Sequence, residues 1–146
     1  MAVVADLGAL YALYDKRDRH HASVKAAIGA EPGAIILPAP ILGEIDYLLR
    51  VRLGPIAEGR LLEGIERGAF TVAGFTLEDA AFCRKLLSRY ASLDLGLADA
   101  SVIATAERLG IRTILTVDER DFRAVRDSRG EPFTLLPSDR RNKKGR

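Results

Sequence analysis

The 146-residue sequence has one cysteine, two histidines and no uninterrupted apolar run long enough to cross a bilayer. The lone Cys83 excludes an internal disulfide, and its place in an apolar helical pattern marks it as buried and inert. His20 and His21 are adjacent, with no third ligand at a recognisable spacing, which argues against a zinc site. Gly8 and Gly43 stand near acids but complete no phosphate-loop pattern. The amino end, MAVVADLGAL, shows no basic leader ahead of an apolar core. These absences exclude a disulfide scaffold, a zinc module, a phosphate-loop NTPase and a helical membrane span. The expectation is a soluble cytoplasmic protein.

What is present suits one hydrophobic core. At 48% hydrophobic and 29% charged, the chain is long enough for a single domain and too short for two comfortable ones. The formal charge of +2 is misleading, because the final DRRNKKGR holds five of the 22 basic residues and one of the 20 acidic ones. Residues 1–138 therefore carry 17 basic and 19 acidic residues, a net charge of −2. The reading is a folded domain over residues 1–137 and a basic, disordered tail over 138–146. The tail is either a solvated terminus or an electrostatic arm toward an anionic partner.

Short β-branched runs alternate with helical patterns, the signature of a parallel α/β sheet. Strands are expected at 3–5, 35–37, 70–73, 111–117 and 133–136, the last at a sheet edge. Residues 98–109 repeat apolar positions at Val102, Ile103, Ala106 and Leu109, a helix with one buried face that Gly110 stops. Helices are also expected at 21–30, 41–52, 55–67 and 77–90, with Leu77, Ala81, Leu86 and Leu87 inward in the last. Gly59 and Gly64 weaken the helix at 55–67, which must lean on a packing partner. Asp94 is expected to cap the helix that carries Asp99.

Four acids stand out by position. Asp6 follows the first strand, Glu44 lies early in a helix, Asp99 lies in a first helical turn, and Asp118 follows a later strand. Strand carboxyl ends and the helix starts beyond them share one rim of such a sheet, which is where these folds bind ligands. Like charges gathered there repel unless cations neutralise them. An all-oxygen set without histidine or cysteine selects Mg²⁺ or Mn²⁺. A site of that kind suits phosphodiester hydrolysis by metal-activated water, with a second ion about 4 Å away on the leaving oxygen. Each acid also has a structural reading: Asp6 as a helix cap, Glu44 as a solvated charge, Asp99 as a first-turn acid and Asp118 as a turn former. Asp46 and Asp121 are less favoured for the site, and Ser101 and Thr116 beside the acids are read as packing.

The segments VVADLGALYALYDKRDRHHASV, LPAPILGEIDYLL and LGLADASVIATAERLGIRTILTVDERDF resemble the PIN-domain ribonucleases, and most closely the VapC toxins of toxin-antitoxin pairs. The resemblance spans roughly residues 2–136. It implies a PIN-like α/β/α sandwich with a parallel sheet, and Mg²⁺ (or Mn²⁺) held chiefly by Asp6 and Asp99, with Glu44 and Asp118 completing an acidic quartet. It also implies an endoribonuclease toxin, leaving a 5′-phosphate and a 3′-hydroxyl on RNA, and a VapB-like antitoxin whose carboxyl-terminal segment lies in a groove near the site. A homodimer is expected as well. Leu7 and Gly8 stand where the family often has threonine or serine after its first acid. Apolar residues from Leu48 to Ile65 exceed what a helical hairpin needs, so any that stay exposed mark a partner surface. Two alternatives use the same fold: a non-catalytic binding module, and an α/β phosphatase or phosphoacceptor domain in which Asp6 would be phosphorylated.

Overall fold

The computed structural model describes residues 2–140. Its centre is a fully parallel sheet of five strands, β1 (Ala2–Ala5), β2 (Ala34–Pro38), β3 (Thr71–Ala73), β4 (Thr113–Leu115) and β5 (Thr134–Leu136), in the order β3-β2-β1-β4-β5. β1 is therefore the middle strand, and β5 is an edge, as expected. The central strands β1, β2 and β4 are buried on both faces, and their residues alternate between two cores. Val3, Ala5, Ile35, Leu37 and Leu115 belong to one core, while Val4, Ile36, Ile114 and Leu135 belong to the other.

Helices α1 (Leu7–Tyr14), α2 (His21–Ala30), α3 (Ala39–Leu53) and α4 (Pro55–Glu66) contribute to the first core. Helices α5 (Leu77–Arg89), α6 (Leu97–Leu109) and α7 (Glu119–Ala124) contribute to the second. The result is the expected α/β/α sandwich. None of these helices is long and apolar enough to cross a membrane. Helix α6 is buried at every position from Ala100 to Ala106, so the single buried face expected for it is too narrow, and Leu109 is exposed. Gly110 ends it in the left-handed conformation, φ 67°.

Three local expectations are corrected. In α5 the inward residues are Asp79, Cys83 and Leu86, whereas Leu77 is 87% exposed and Ala81 is also on the surface. Leu77 is the first helical residue, placed outside by the Thr76–Asp79 capping box, and Arg108 of α6 reaches Asp79 at 3.1 Å. Helix α6 starts at Gly96, not Asp94, and Asp99 Oδ2 accepts the Gly96 N–H. The folded chain also continues past residue 137: Asp139 pairs with Arg123 at 2.6 Å and accepts the Leu135 N–H. The remainder of the expected tail, residues 141–146, lies outside the described residues.

The two glycines of α4 differ in their surroundings. A Cβ at Gly64 would lie 2.9 Å from the buried ring of Phe70, whereas one at Gly59 would meet nothing within 4 Å. Helix α4 leans on Phe70 through Gly64. Gly59→Ala is expected to stabilise the fold by about 0.5–1 kcal/mol through helix propensity. Gly64→Ala should destabilise it by about 1–3 kcal/mol, because the crowded ring outweighs the same propensity gain. Denaturant titration of both variants measures the contrast.

Candidate active site

The middle strand delivers the site. β1 ends at Ala5, and the next residue, Asp6, caps α1 by accepting the Ala9 N–H on Oδ1 at 2.8 Å. Its backbone N–H donates to Leu115 O at 3.0 Å, which ties it to the carboxyl end of β4. From that side the Thr116 hydroxyl donates to Asp6 Oδ2 and accepts the Asp118 N–H at 3.0 Å. Thr116 thus gives Asp6 the hydroxyl that Leu7 and Gly8 do not. Gly8 permits the approach of this loop, since a Cβ there would stand 3.1 Å from Val117 Cγ2. Ser101, by contrast, donates to Ala98 O within its own helix and is structural.

Asp6 is 5% exposed. The other two buried carboxylates among the described residues each have an arginine: Asp79 has Arg108, and Asp127 has Arg112. Asp6 has none. Burial pushes its carboxyl up from the usual 3.8 to about 7, against the lowering effect of its Thr116 and Ala9 hydrogen bonds, and the charges of Asp99 and Asp118 push it further. Asp99, half-buried in the first turn of α6, is also raised, first by burial and then by Asp118, Asp121 and Glu44, with the Gly96 N–H opposing.

Asp6, Glu44, Asp99 and Asp118 therefore stand within electrostatic reach of one rim, carried respectively by the end of β1, by α3, by α6 and by the loop beyond β4. Asp118 is the least direct of them, because β4 ends at Leu115 and Asp118 caps α7 from an exposed position. Sequence reading passed over Asp121, whose charge acts on Asp99 alongside the others. Counted from the Asp118 cap rather than from the strand end, Asp121 is one helical turn on and shares a side with it. Asp118 and Asp121 together line a cavity of about 340 Å³ with Arg120 and Asp94.

None of these five acids forms an ion pair among the described residues. Among the described residues, no group of three or more carboxylate, histidine or cysteine side chains is closed tightly enough to hold an ion as it stands. The donor chemistry nevertheless fits a hard divalent cation: oxygens only, and one buried carboxylate without a counter-charge. A phosphoacceptor reading finds no second acid beside Asp6, where Ala5 and Gly8 stand. The histidines are placed elsewhere. His21 Nδ1 bonds Ala12 O at 2.8 Å, and His20 Nε2 accepts from Arg19 Nε at 3.1 Å.

Comparison with known proteins bears on the family and the fold. Ribonuclease VapC26 of Mycobacterium tuberculosis is 32% identical over 135 residues, covering 92% of this chain and all of that protein. Among solved structures, the sarcin-ricin loop cleaving toxin VapC20 of Mycobacterium tuberculosis is similar in fold, with a TM-score of 0.73 at 21% identity, covering 82% of this chain and 93% of that one. A toxin-antitoxin complex from Klebsiella pneumoniae scores 0.68 at 20% identity, covering 84% and 92%. VapBC2 from Rickettsia felis, bound to a DNA fragment from its promoter, scores 0.65 at 15%, covering 92% and 97%. A family model described as PIN domain matches residues 3–128. Because that match runs from the central strand past the last of the five acids, the chain belongs to the PIN domain family.

Proposed function

We propose that this protein is a ribonuclease toxin of the VapC type, hydrolysing RNA phosphodiester bonds at the rim formed by Asp6, Glu44, Asp99 and Asp118. The observation that carries this reading is the likeness to ribonuclease VapC26 along that protein's whole length. Asp6 and Asp99 are the principal ligands we assign to Mg²⁺ or Mn²⁺, with Glu44, Asp118 and Asp121 around them. The bound cation would supply an acidified water and charge neutralisation at the leaving oxygen. The chain's own residues do the positioning. The Ala9 N–H and Thr116 hydroxyl fix the two oxygens of Asp6, and the Gly96 N–H fixes one oxygen of Asp99.

The partner in this reading is an antitoxin. A cavity of about 580 Å³ between α1 and the α3–α4 hairpin is lined by Tyr11, Tyr14, Arg17, Arg52, Ile56 and Arg60, among others. The Arg52 guanidinium lies 5.3 Å from the Tyr11 ring centre. Ile56 is 73% exposed, and Leu62 is exposed as well. Aromatic, aliphatic and basic groups side by side suit a segment with apolar anchors and acidic flanks. Tyr47, Val51 and Leu77, also exposed, suit a contact between two copies of the chain.

Asp99→Asn is expected to lower cleavage of single-stranded RNA by at least about 100-fold in Mg²⁺ while leaving the fold intact. Equal cleavage by that variant would overturn the assignment of the site. A stability measurement addresses Asp6 directly. Its carboxyl titrates near 7 when folded and near 3.8 when unfolded, so between those values the folded state holds the extra proton. Stability of the metal-free protein should therefore fall as pH rises from 4 to 7, by up to about 4 kcal/mol from this group. In chelator, Asp6→Asn should melt higher than the unaltered chain at pH 8 and show little advantage at pH 4. Mg²⁺ should raise the melting temperature of the unaltered chain at pH 8 and not that of Asp6→Asn.

A further inference from the structure

Behind Thr116, on the side away from Asp121, lies a cavity of about 380 Å³. Its floor is Thr116 and Val117, and its walls include Arg19, His20 and Ser23 from the turn into α2 and Glu119 from the start of α7. It adjoins the acidic rim through Thr116, which lines it and whose hydroxyl holds Asp6. The volume falls in the usual range of ligand sites, roughly 300–1,000 Å³.

The charges around it are sorted in an unusual way. The turn DKRDRHH alternates acids and bases, yet its acids are bound locally. Asp15 accepts from the Tyr11 hydroxyl and the Arg17 N–H, and Asp18 accepts the His20 N–H. Lys16, Arg17 and Arg19 form no ion pair among the described residues. Glu119 shares Arg123, 3.3 Å away, with Asp139 at 2.6 Å, so it is only partly offset. The cavity therefore presents an exposed guanidinium without an acid partner, beside an imidazole that it contacts at 3.1 Å. A planar cation and an aromatic ring beside a nuclease rim form the combination that holds a splayed nucleotide of single-stranded RNA.

We propose that this cavity seats the unstacked base of the nucleotide adjoining the bond that is cut, with Arg19 on the neighbouring phosphate and His20 against the base. Arg19 and His20 are positioning residues for RNA, and the inference rests on the ribonuclease reading above. The test is binding of a fluorescent single-stranded oligoribonucleotide in Mg²⁺, measured by anisotropy over a salt series in an Asp99→Asn background that prevents cutting. Arg19→Gln is expected to weaken binding about 5- to 10-fold and to reduce the slope of log Kd against log salt by about 0.7, the loss of one phosphate contact. His20→Ala should weaken binding by a similar factor and leave the slope unchanged, because stacking carries no counterion. Arg84→Ala, an exposed arginine on α5, should change neither. Circular dichroism verifies that each variant is folded. Binding by Arg19→Gln and His20→Ala equal to the parent overturns the proposal. A salt-slope change in Arg19→Gln with no effect of His20→Ala overturns the base seat. If the unaltered chain neither binds nor cuts RNA, the ribonuclease reading itself fails, and the proposal falls with it.

Discussion

The structure is organised by a carboxylate that the fold buries without giving it a positive partner. Asp6 sits at the end of the central strand, where β1 has a neighbour on each side and a helical layer on each face. Such a position is the least hydrated the sheet rim offers, and a charge there is costly unless something compensates it. The other two buried carboxylates have an arginine each. Asp6 has two hydrogen bonds and the charges of two acids, Asp99 and Asp118, instead, and its carboxyl is pushed up to about 7. Hydrogen bonds alone do not offset the burial, as the direction of its shift records.

The topology explains why this position collects partners. The chain leaves β1 toward β2 and β3 on one side, then returns to place β4 and β5 on the other. The reversal lies between β1 and β4, and it opens a crevice at the carboxyl ends of those strands. Helix α6, the most deeply buried of the helices, presents Asp99 there from its first turn. The loop after β4 brings Thr116 and Asp118 across from the opposite side. The carboxylates sit in each other's fields: Asp99 and Asp118 act on Asp6, and Asp118, Asp121 and Glu44 act on Asp99.

Much of this was legible in the sequence because it depends on period and position. The strand runs, the stop at Gly110 and the acid at the end of each relevant strand follow from side-chain alternation and backbone sterics, which are local. The misses share a cause: they depend on what a neighbouring element does. Leu77 looked inward by its apolar character, but the Thr76–Asp79 cap turned the helix start outward. Thr116 looked like packing because its partner, Asp6, is 110 residues away in sequence. Asp121 looked displaced because the distance was counted from a strand that ends earlier than its apolar run, at Leu115. The capping helix α7 resets the period, and only the structure shows where it begins.

A rim of acids is also an obstacle for a polyanion, and net charge does not remove it. Residues 1–138 sum to −2 and the whole chain to only +2, so net charge gives little long-range attraction toward RNA. Attraction must come from bases close to the site, within a Debye length of about 8 Å at physiological salt. The α1–α2 turn meets that requirement by a local device. Its own acids accept backbone and hydroxyl donors and form no ion pair with its bases, so Arg19 faces the cavity beside the loop that holds Asp6, while Lys16 and Arg17 line the cavity between α1 and the α3–α4 hairpin. The same spacing that makes the turn compact thus separates the signs of its charges. On the proposed reading, the acids of the cleft hold a cation while Arg19 at its border holds the phosphate chain that the cation serves.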